Sequence, residues 1–276
     1  MTSSDAADRS TAGIAVTEHA HIPAAQRIVV KVGSSSVTGE RVTQIDPLID
    51  ALAAAHERGA EVILVSSGAI ASALPVLGLD DRPSDLATQQ AAAAVGQNVL
   101  MWRYQTSLRR HQVVAGQVLL TAGDLENPTT RANARRALER LLALRVLPIV
   151  NENDTVATAE IRFGDNDRLA ALVAVLVRAD VLVLLSDVDA LYTRPPSEPG
   201  AVRIEHVPHG DDLAAVAFGD IGAAGVGTGG AGTKVAAAKY ASQHGIPTLL
   251  AETARVADAL SGDRLGTWFQ AVPGGE

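Results

Sequence analysis

The sequence predicts an α/β fold, a three-layer α/β/α sandwich built on a mainly parallel central sheet. Aliphatic runs alternate with helical segments, the runs are apolar at every position rather than every second one, and several end in small or polar residues. Strands of that kind are buried on both faces, which calls for helices above and below a parallel sheet. The first run, RIVVKV at 27–32, is β-branched and stops at Gly33, a strand feeding a loop. Asp46–Arg58 reads as an amphipathic helix with Leu48, Leu52 and Ala55 on one face and Gly59 as its stop signal. EVILV at 61–65 repeats the strand, and Ser66-Ser67-Gly68 turns it into another helix. Ser84–Arg110 is a longer helical stretch, Val113–Leu120 a strand, Arg131–Arg145 a helix and Val146–Val150 a strand. Thr155–Asp165 alternates in polarity and predicts a hairpin at the sheet edge. The most apolar run, Leu169–Ser186, is broken by Arg178 and Asp180, so it reads as helix, turn and buried strand rather than a membrane span. Lys234–His244 gives a late helix and Ile246–Glu252 a late strand.

No internal repeat stands out and no Pro/Ser linker divides the chain, so one domain over residues 26–276 is expected. It follows a polar tail, residues 1–25, that has no apolar signal-peptide core and is expected to be disordered. His19 and His21 in that tail read as solvated rather than metal-binding. The 276 residues carry 23 Lys+Arg against 31 Asp+Glu, a net charge of -8. This argues against a nucleic-acid-coating surface and suits a cytoplasmic enzyme. The absence of cysteine excludes disulfides, thiol nucleophiles, cysteine zinc sites and iron–sulfur clusters.

GVGTGGAGTK at 225–234 has the look of a phosphate loop. Gly225, Gly227 and Gly230 satisfy G-x-G-x-x-G, but no strand precedes them, as a dinucleotide fingerprint requires. Walker A fails too, because Thr233 comes before Lys234 rather than after it. The physics outlives both patterns: glycines expose backbone N–H groups, a helix start adds a positive dipole end, and Lys234 adds a mobile charge. A flexible surface loop capped by a helix is the bland alternative. Lys31 sits in an aliphatic strand, where it either emerges at the strand end toward an anion or snorkels at the sheet edge. Ser66-Ser67-Gly68-Ala69 offers hydroxyls and open N–H groups, or simply a helix cap. Asn151-Glu152-Asn153-Asp154 follows the strand ending at Val150, and Asp165-Asn166-Asp167 comes eleven residues later. Leu169 and Ala170 stand where a calcium loop needs a ligand and a glycine, so these acids and amides fit an ammonium-bearing substrate or lysine alignment better. Ser186-Asp187 ends a further strand.

KVGS (31–34), SSGAI (66–70), NEND (151–154), GDND (164–167), Ser186-Asp187 and GTGG through Thr233-Lys234 occur in order from Arg27 to the C-terminus. In this set the chain resembles the glutamate 5-kinase family of the amino acid kinase superfamily, with NEND and GDND the most specific part. The resemblance implies ATP-dependent phosphorylation of the L-glutamate γ-carboxylate, the first step of proline synthesis, with Mg²⁺ carried mainly by the ATP phosphates and no side-chain metal ligands. It implies that Lys31 and Lys234 flank the transferring phosphoryl group and that Asp167 orients them. Ser67, Asp154 and Asn166, with Asp165 nearby, would hold glutamate. Ser186, Asp187, Thr228, Gly229, Gly230, Ala231, Gly232, Thr233 and Lys234 would form the nucleotide site. A carboxylate is already a nucleophile at neutral pH, so no general base is called for, and His206 and His209 read as ordinary loop residues.

The chain departs from the family at Ala231-Gly232, where methionine, often followed by serine, is usual. It also ends at 276 without room for the C-terminal PUA domain of many relatives, and none is expected. By resemblance, L-proline is expected as feedback inhibitor, a homo-oligomer (dimer or tetramer) as the assembly, and glutamate-5-semialdehyde dehydrogenase as pathway partner. No nucleic-acid or membrane partner is expected. Competing readings are a kinase for another small acid, such as N-acetylglutamate, carbamate or a phosphate monoester, and a non-catalytic amino-acid sensor.

Overall fold

The computed structural model describes residues 15–156, 166–214, 216 and 230–272. In chain order the strands are β1 (Arg27–Val32), β2 (Glu61–Ser66), β3 (Ala115–Leu120), β4 (Leu147–Glu152), β5 (Val181–Ser186), β6 (Leu191–Tyr192), β7 (Arg203–Ile204), β8 (His206–Val207), β9 (Thr248–Glu252) and β10 (Thr267–Phe269). The helices are α1 (Ile45–Glu57), α2 (Ala69–Leu77), α3 (Leu86–Leu108), α4 (Ala122–Glu126), α5 (Pro128–Ala143), α6 (Asn166–Val177), α7 (Ala231–Gln243) and α8 (Val256–Leu260).

Among the described residues an eight-stranded sheet runs in the order β3-β4-β2-β1-β5-β9-β10-β8. The first six are mutually parallel, and β10 and β8 close the far edge antiparallel to β9. Alternation along each strand divides the core in two. Ile28, Val30 and Val32 of β1 join α1, α3 and α8 on one face, whereas Val29 joins α5, α6 and α7 on the other. Lys31 shares the parity of Val29 and so projects to the α6–α7 side. The sheet thus sits between two helical layers, as an α/β/α sandwich requires.

Helix ends follow their local chemistry. Asp85 Oδ1 accepts from Thr88 N–H at 2.9 Å to start α3, and Asn127 with Pro128 behind it starts α5. Two boundaries matter for the site. Strand β4 runs two residues beyond Val150, so Asn151 and Glu152 lie buried in the sheet instead of in the loop. Helix α7 starts three residues before Lys234, which places that lysine inside the first turn.

Several sequence expectations differ from the structure. The short strands β6, β7, β8 and β10 and the helices α4 and α8 were not foreseen, because elements of two to five residues carry too little periodicity. His206 lies in β8, not in a loop. The hairpin expected over 155–165 falls mostly outside the described residues; Thr155 and Val156 belong to a 3-10 turn that starts at Asp154. Within the expected tail, residues 15–25 carry structure. His19–Ala24 form a 3-10 helix, Ile22 is fully buried, and the His19 ring packs on Trp268 at 4.9 Å with Nε2 bonded to the Leu265 carbonyl at 2.8 Å. A single buried isoleucine, with the His19 ring, docks a segment whose composition reads as polar.

Candidate active site

The carboxyl ends of the parallel strands gather the candidate residues, where open α/β sheets accept ligands. Strand β1 is the switch point: β2 follows it on one side and β5 pairs with it on the other. Lys31 near its end and Asp167 in the first turn of α6 are both buried, and Lys31 Nζ stands 2.6 Å from Asp167 Oδ1. Lys234 Nζ, also buried, lies 3.2 Å from Asp167 Oδ2, and the Thr233 hydroxyl donates to the same oxygen at 2.8 Å. Burial by itself would raise the Asp167 carboxyl. The two ammonium groups and the hydrogen bonds from Lys31 and Thr233 outweigh it and hold the group at about 2. Two buried ammonium groups converge on a single carboxylate in a place that burial shields from water. Such a cluster is suited to an anion that brings its own negative charge.

Beside it, α7 opens at Gly230, an extended N-cap. Among the described residues, Cβ atoms built on Gly230 and Gly232 would meet nothing within 4 Å, so the first-turn N–H groups are open to close approach there. Ala231 is exposed, and Gly232 and Thr233 are half-buried. Ser186 is buried at the end of β5, its carbonyl accepting from Thr253 Oγ1 at 3.0 Å, while Asp187 is exposed. Thr228, Gly229 and Asp165 lie outside the described residues.

A second set of polar groups sits beside the lysines, toward β2 and β4. Ser67 follows β2, its N–H donating to the Val32 carbonyl at 3.1 Å. Asn166 Nδ2 reaches Ser67 Oγ at 3.0 Å, the Ser66 carbonyl at 3.2 Å and Asn151 Oδ1 at 3.0 Å. Asn151 Nδ2 in turn donates to Gln97 Oε1 of α3 at 2.7 Å. Asp154 stands at the start of the 3-10 turn after β4; burial pushes its carboxyl up to about 6, against the pull of Arg82.

Helix α3 backs this region closely. A Cβ on Gly96 would fall 1.7 Å from the Ala69 carbonyl oxygen, so only glycine lets α3 lie against the first turn of α2. About two turns further on, Tyr104 is buried with its hydroxyl 2.8 Å from Ser66 Oγ.

The structure therefore brings together Lys31, Asp167, Lys234 and Thr233, and separately Ser67, Asn166 and Asn151. Sequence reasoning gave Thr233 to the nucleotide loop without its bond to Asp167, quoted Asn151 without a role, and missed Gln97, Arg82 and Tyr104. For Gln97 a signal existed: it is a lone amide among the buried Ala93, Gly96, Leu100 and Met101 of α3. Among the described residues no group of three or more His, Cys, Asp or Glu side chains is placed to hold a metal ion. No helix among them is long and apolar enough to cross a membrane.

Comparison with known proteins gives this arrangement a setting. The sequence pattern of the amino acid kinase family matches residues 26–252. A protein of Clavibacter sepedonicus named glutamate 5-kinase is 69% identical over 250 residues, covering 91% of this chain and 96% of that one. The protein of that name from Leifsonia xyli subsp. xyli is 66% identical over 254 residues, covering 92% and 94%. That from Streptomyces coelicolor is 57% identical over 252 residues, which make up 67% of its own length. In three dimensions, the carbamate kinase from Giardia lamblia bound to AMP-PNP superposes with a TM-score of 0.65 over 91% of this chain and 100% of that one. At 16% identity that likeness bears on the fold alone.

Proposed function

The chain belongs to the amino acid kinase family, and on that premise we propose that it transfers the γ-phosphoryl group of ATP to the γ-carboxylate of L-glutamate, giving L-glutamyl 5-phosphate. Relatives named glutamate 5-kinase at 66–69% identity over almost their whole length support the substrate pair. The observation that carries the chemistry is the buried Lys31–Asp167–Lys234 cluster.

Phosphoryl transfer asks the protein for alignment and charge balance rather than for covalent help. In this reading Lys31 and Lys234 approach the non-bridging oxygens of the phosphoryl group from two sides as it passes between nucleotide and carboxylate. Asp167 and Thr233 fix where those ammonium groups stand. The acceptor carboxylate is ionised at neutral pH, so no proton has to be removed before attack. The N-terminal turn of α7, from Gly230 to Thr233, cradles the remaining phosphates. Ser186 and Asp187, with Thr228 and Gly229, complete the nucleotide site.

A buried pair of lysines fits a triphosphate that arrives with its own divalent metal, and Mg²⁺ on the ATP phosphates supplies further charge neutralisation when bound. Ser67, Asp154 and Asn166, with Asp165, hold the amino acid, Asp154 facing its ammonium group. This free-amine preference sets the reading apart from an N-acetylglutamate or carbamate kinase. L-proline as an inhibitor at the same pocket, a dimeric or tetrameric assembly, and glutamate-5-semialdehyde dehydrogenase as pathway partner belong to this reading as expectations.

The test is coupled ADP release with ATP, Mg²⁺ and L-glutamate, run beside N-acetylglutamate and carbamate. Turnover that depends on L-glutamate supports the assignment; folded protein without it refutes the assignment.

A further inference from the structure

The amide chain Gln97–Asn151–Asn166 has a fixed direction, set by two backbone groups. The Glu152 N–H donates to Asn151 Oδ1 at 2.9 Å, so that oxygen cannot exchange places with its nitrogen. The Ser66 carbonyl accepts from Asn166 Nδ2, which fixes the second amide in the same way. Asn151 must then offer Nδ2 to the third amide, and Gln97 must answer with Oε1. One acceptor and one donor are left over at the two ends of the chain. Asn166 Oδ1 and Gln97 Nε2 are buried and have no hydrogen-bond partner among the described residues. Buried polar atoms without partners are costly, and at a site they mark where a ligand's groups complete the bonding.

We propose that Gln97 is a positioning residue of the amino-acid site: by accepting from Asn151 Nδ2 it braces Asn151, and through it the Asn166 carboxamide, whose backbone-set orientation presents Oδ1 as an acceptor to the substrate ammonium. The inference rests on the glutamate reading above and deepens it. Gln97 reaches Asn166 only through Asn151, so it acts at one remove. The chain's polarity selects for a donor on the substrate, because a turned Asn166 would set its NH₂ against the ammonium and forfeit its bonds to Ser66 and Ser67. Helix α3 is a rigid place for such an anchor, held at Gly96 against α2 and at Tyr104 against Ser66.

Kinetics with two ligands separates this role from a packing role. Gln97→Leu is expected to raise the KM for L-glutamate about tenfold while kcat and the KM for ATP stay within about twofold. Glutarate, which has the two carboxylates and no ammonium, is expected to keep its inhibition constant within about twofold in the same variant. Gln97→Glu retains an oxygen for Asn151 Nδ2 and is expected to recover most of the lost glutamate affinity. If Gln97→Leu does not fold, Gln97→Met, close to glutamine in volume, carries the same expectations. An unchanged glutamate KM, or a glutarate constant that rises as much as the glutamate KM, overturns the proposal. No glutamate-dependent turnover in the unsubstituted chain would instead refute the parent reading.

Discussion

Asp167→Asn isolates the charge that the two lysines share. Asparagine keeps the shape and one acceptor oxygen, but removes the negative charge that Lys31 Nζ and Lys234 Nζ approach at 2.6 and 3.2 Å. The carboxyl is held at about 2 against an ordinary 3.8. That difference corresponds to roughly 2 kcal/mol of net stabilisation by its partners. Taking one member out of a buried ion pair costs about 3–5 kcal/mol in other proteins, so the loss should fall between these figures. For a chain of this size that lowers Tm by about 5–15 °C. The sign with pH follows from the direction of the shift. A carboxyl depressed in the folded state contributes in full above its unfolded value near 4, and the contribution is lost as pH falls through about 2. The gap in Tm between parent and variant should therefore be constant from pH 5 to 8 and close on acidification below pH 4. In the glutamate-dependent ADP-release assay kcat should fall on the order of 100-fold, since the ammonium groups lose their common anchor. Thermal unfolding monitored by circular dichroism across pH, with the kinetic assay at pH 7.5, checks both arms. A variant within about 2 °C and threefold of the parent would refute the argument that this carboxylate organises the cluster.

Three further outcomes follow from the same geometry. Lys234→Ala should reduce kcat by about 100-fold or more while calorimetry records glutamate affinity within about threefold; affinity lost in step with turnover would reassign the lysine. The Asp154 carboxyl sits at about 6 in the free protein, so kcat/KM for glutamate should drop about tenfold per unit below pH 6. Asp154→Asn should flatten that profile, and should raise Tm at pH 8 more than at pH 5, because ionising a carboxyl raised by burial costs stability as pH climbs through about 6. A wild-type profile level from pH 5 to 8 contradicts the assignment of Asp154 to the ammonium. Gly96→Ala places a methyl group 1.7 Å from the Ala69 carbonyl oxygen. A loss of about 1–3 kcal/mol and a raised glutamate KM are expected, and unchanged unfolding and kinetics would show that α2 and α3 part without consequence.

Much of the fold could be read in the sequence because its strands are long, aliphatic and separated by strong helices. The six parallel strands and the larger helices lie within a few residues of where periodicity puts them. The small strands at the far edge escaped because two residues hold no period. The candidate site was legible where it is polar and contiguous, as in NEND and GDND. It was faint where a single amide sits among the buried apolar residues of a helix, as Gln97 does in α3. Gln97 looks like any tolerated core amide until the fold sets Asn151 2.7 Å away. Lys31 was ambiguous for the same reason: strand parity gives its face, but only the packing of α6 onto that face supplies Asp167. The two-residue extension of β4 explains why Asn151 is rigid, and no local signal separates a strand ending at Val150 from one ending at Glu152.

The ion cluster also imposes an order on the making of the protein. Its members leave the ribosome as Lys31, then Asp167, then Lys234, the last pair 67 residues apart. A nascent chain that has reached α6 can already dock that helix on β1 and join the first cation to the carboxylate. The second cation, Thr233 and the first turn of α7 arrive only with the final segment, which packs beside β9. Translation products cut short before it hold Lys31 and Asp167 without Lys234, and lack the α7 turn to which we assign the nucleotide phosphates. On this reading a growing chain does not spend ATP, and phosphoryl transfer begins only once synthesis has passed the point where the fold itself is complete.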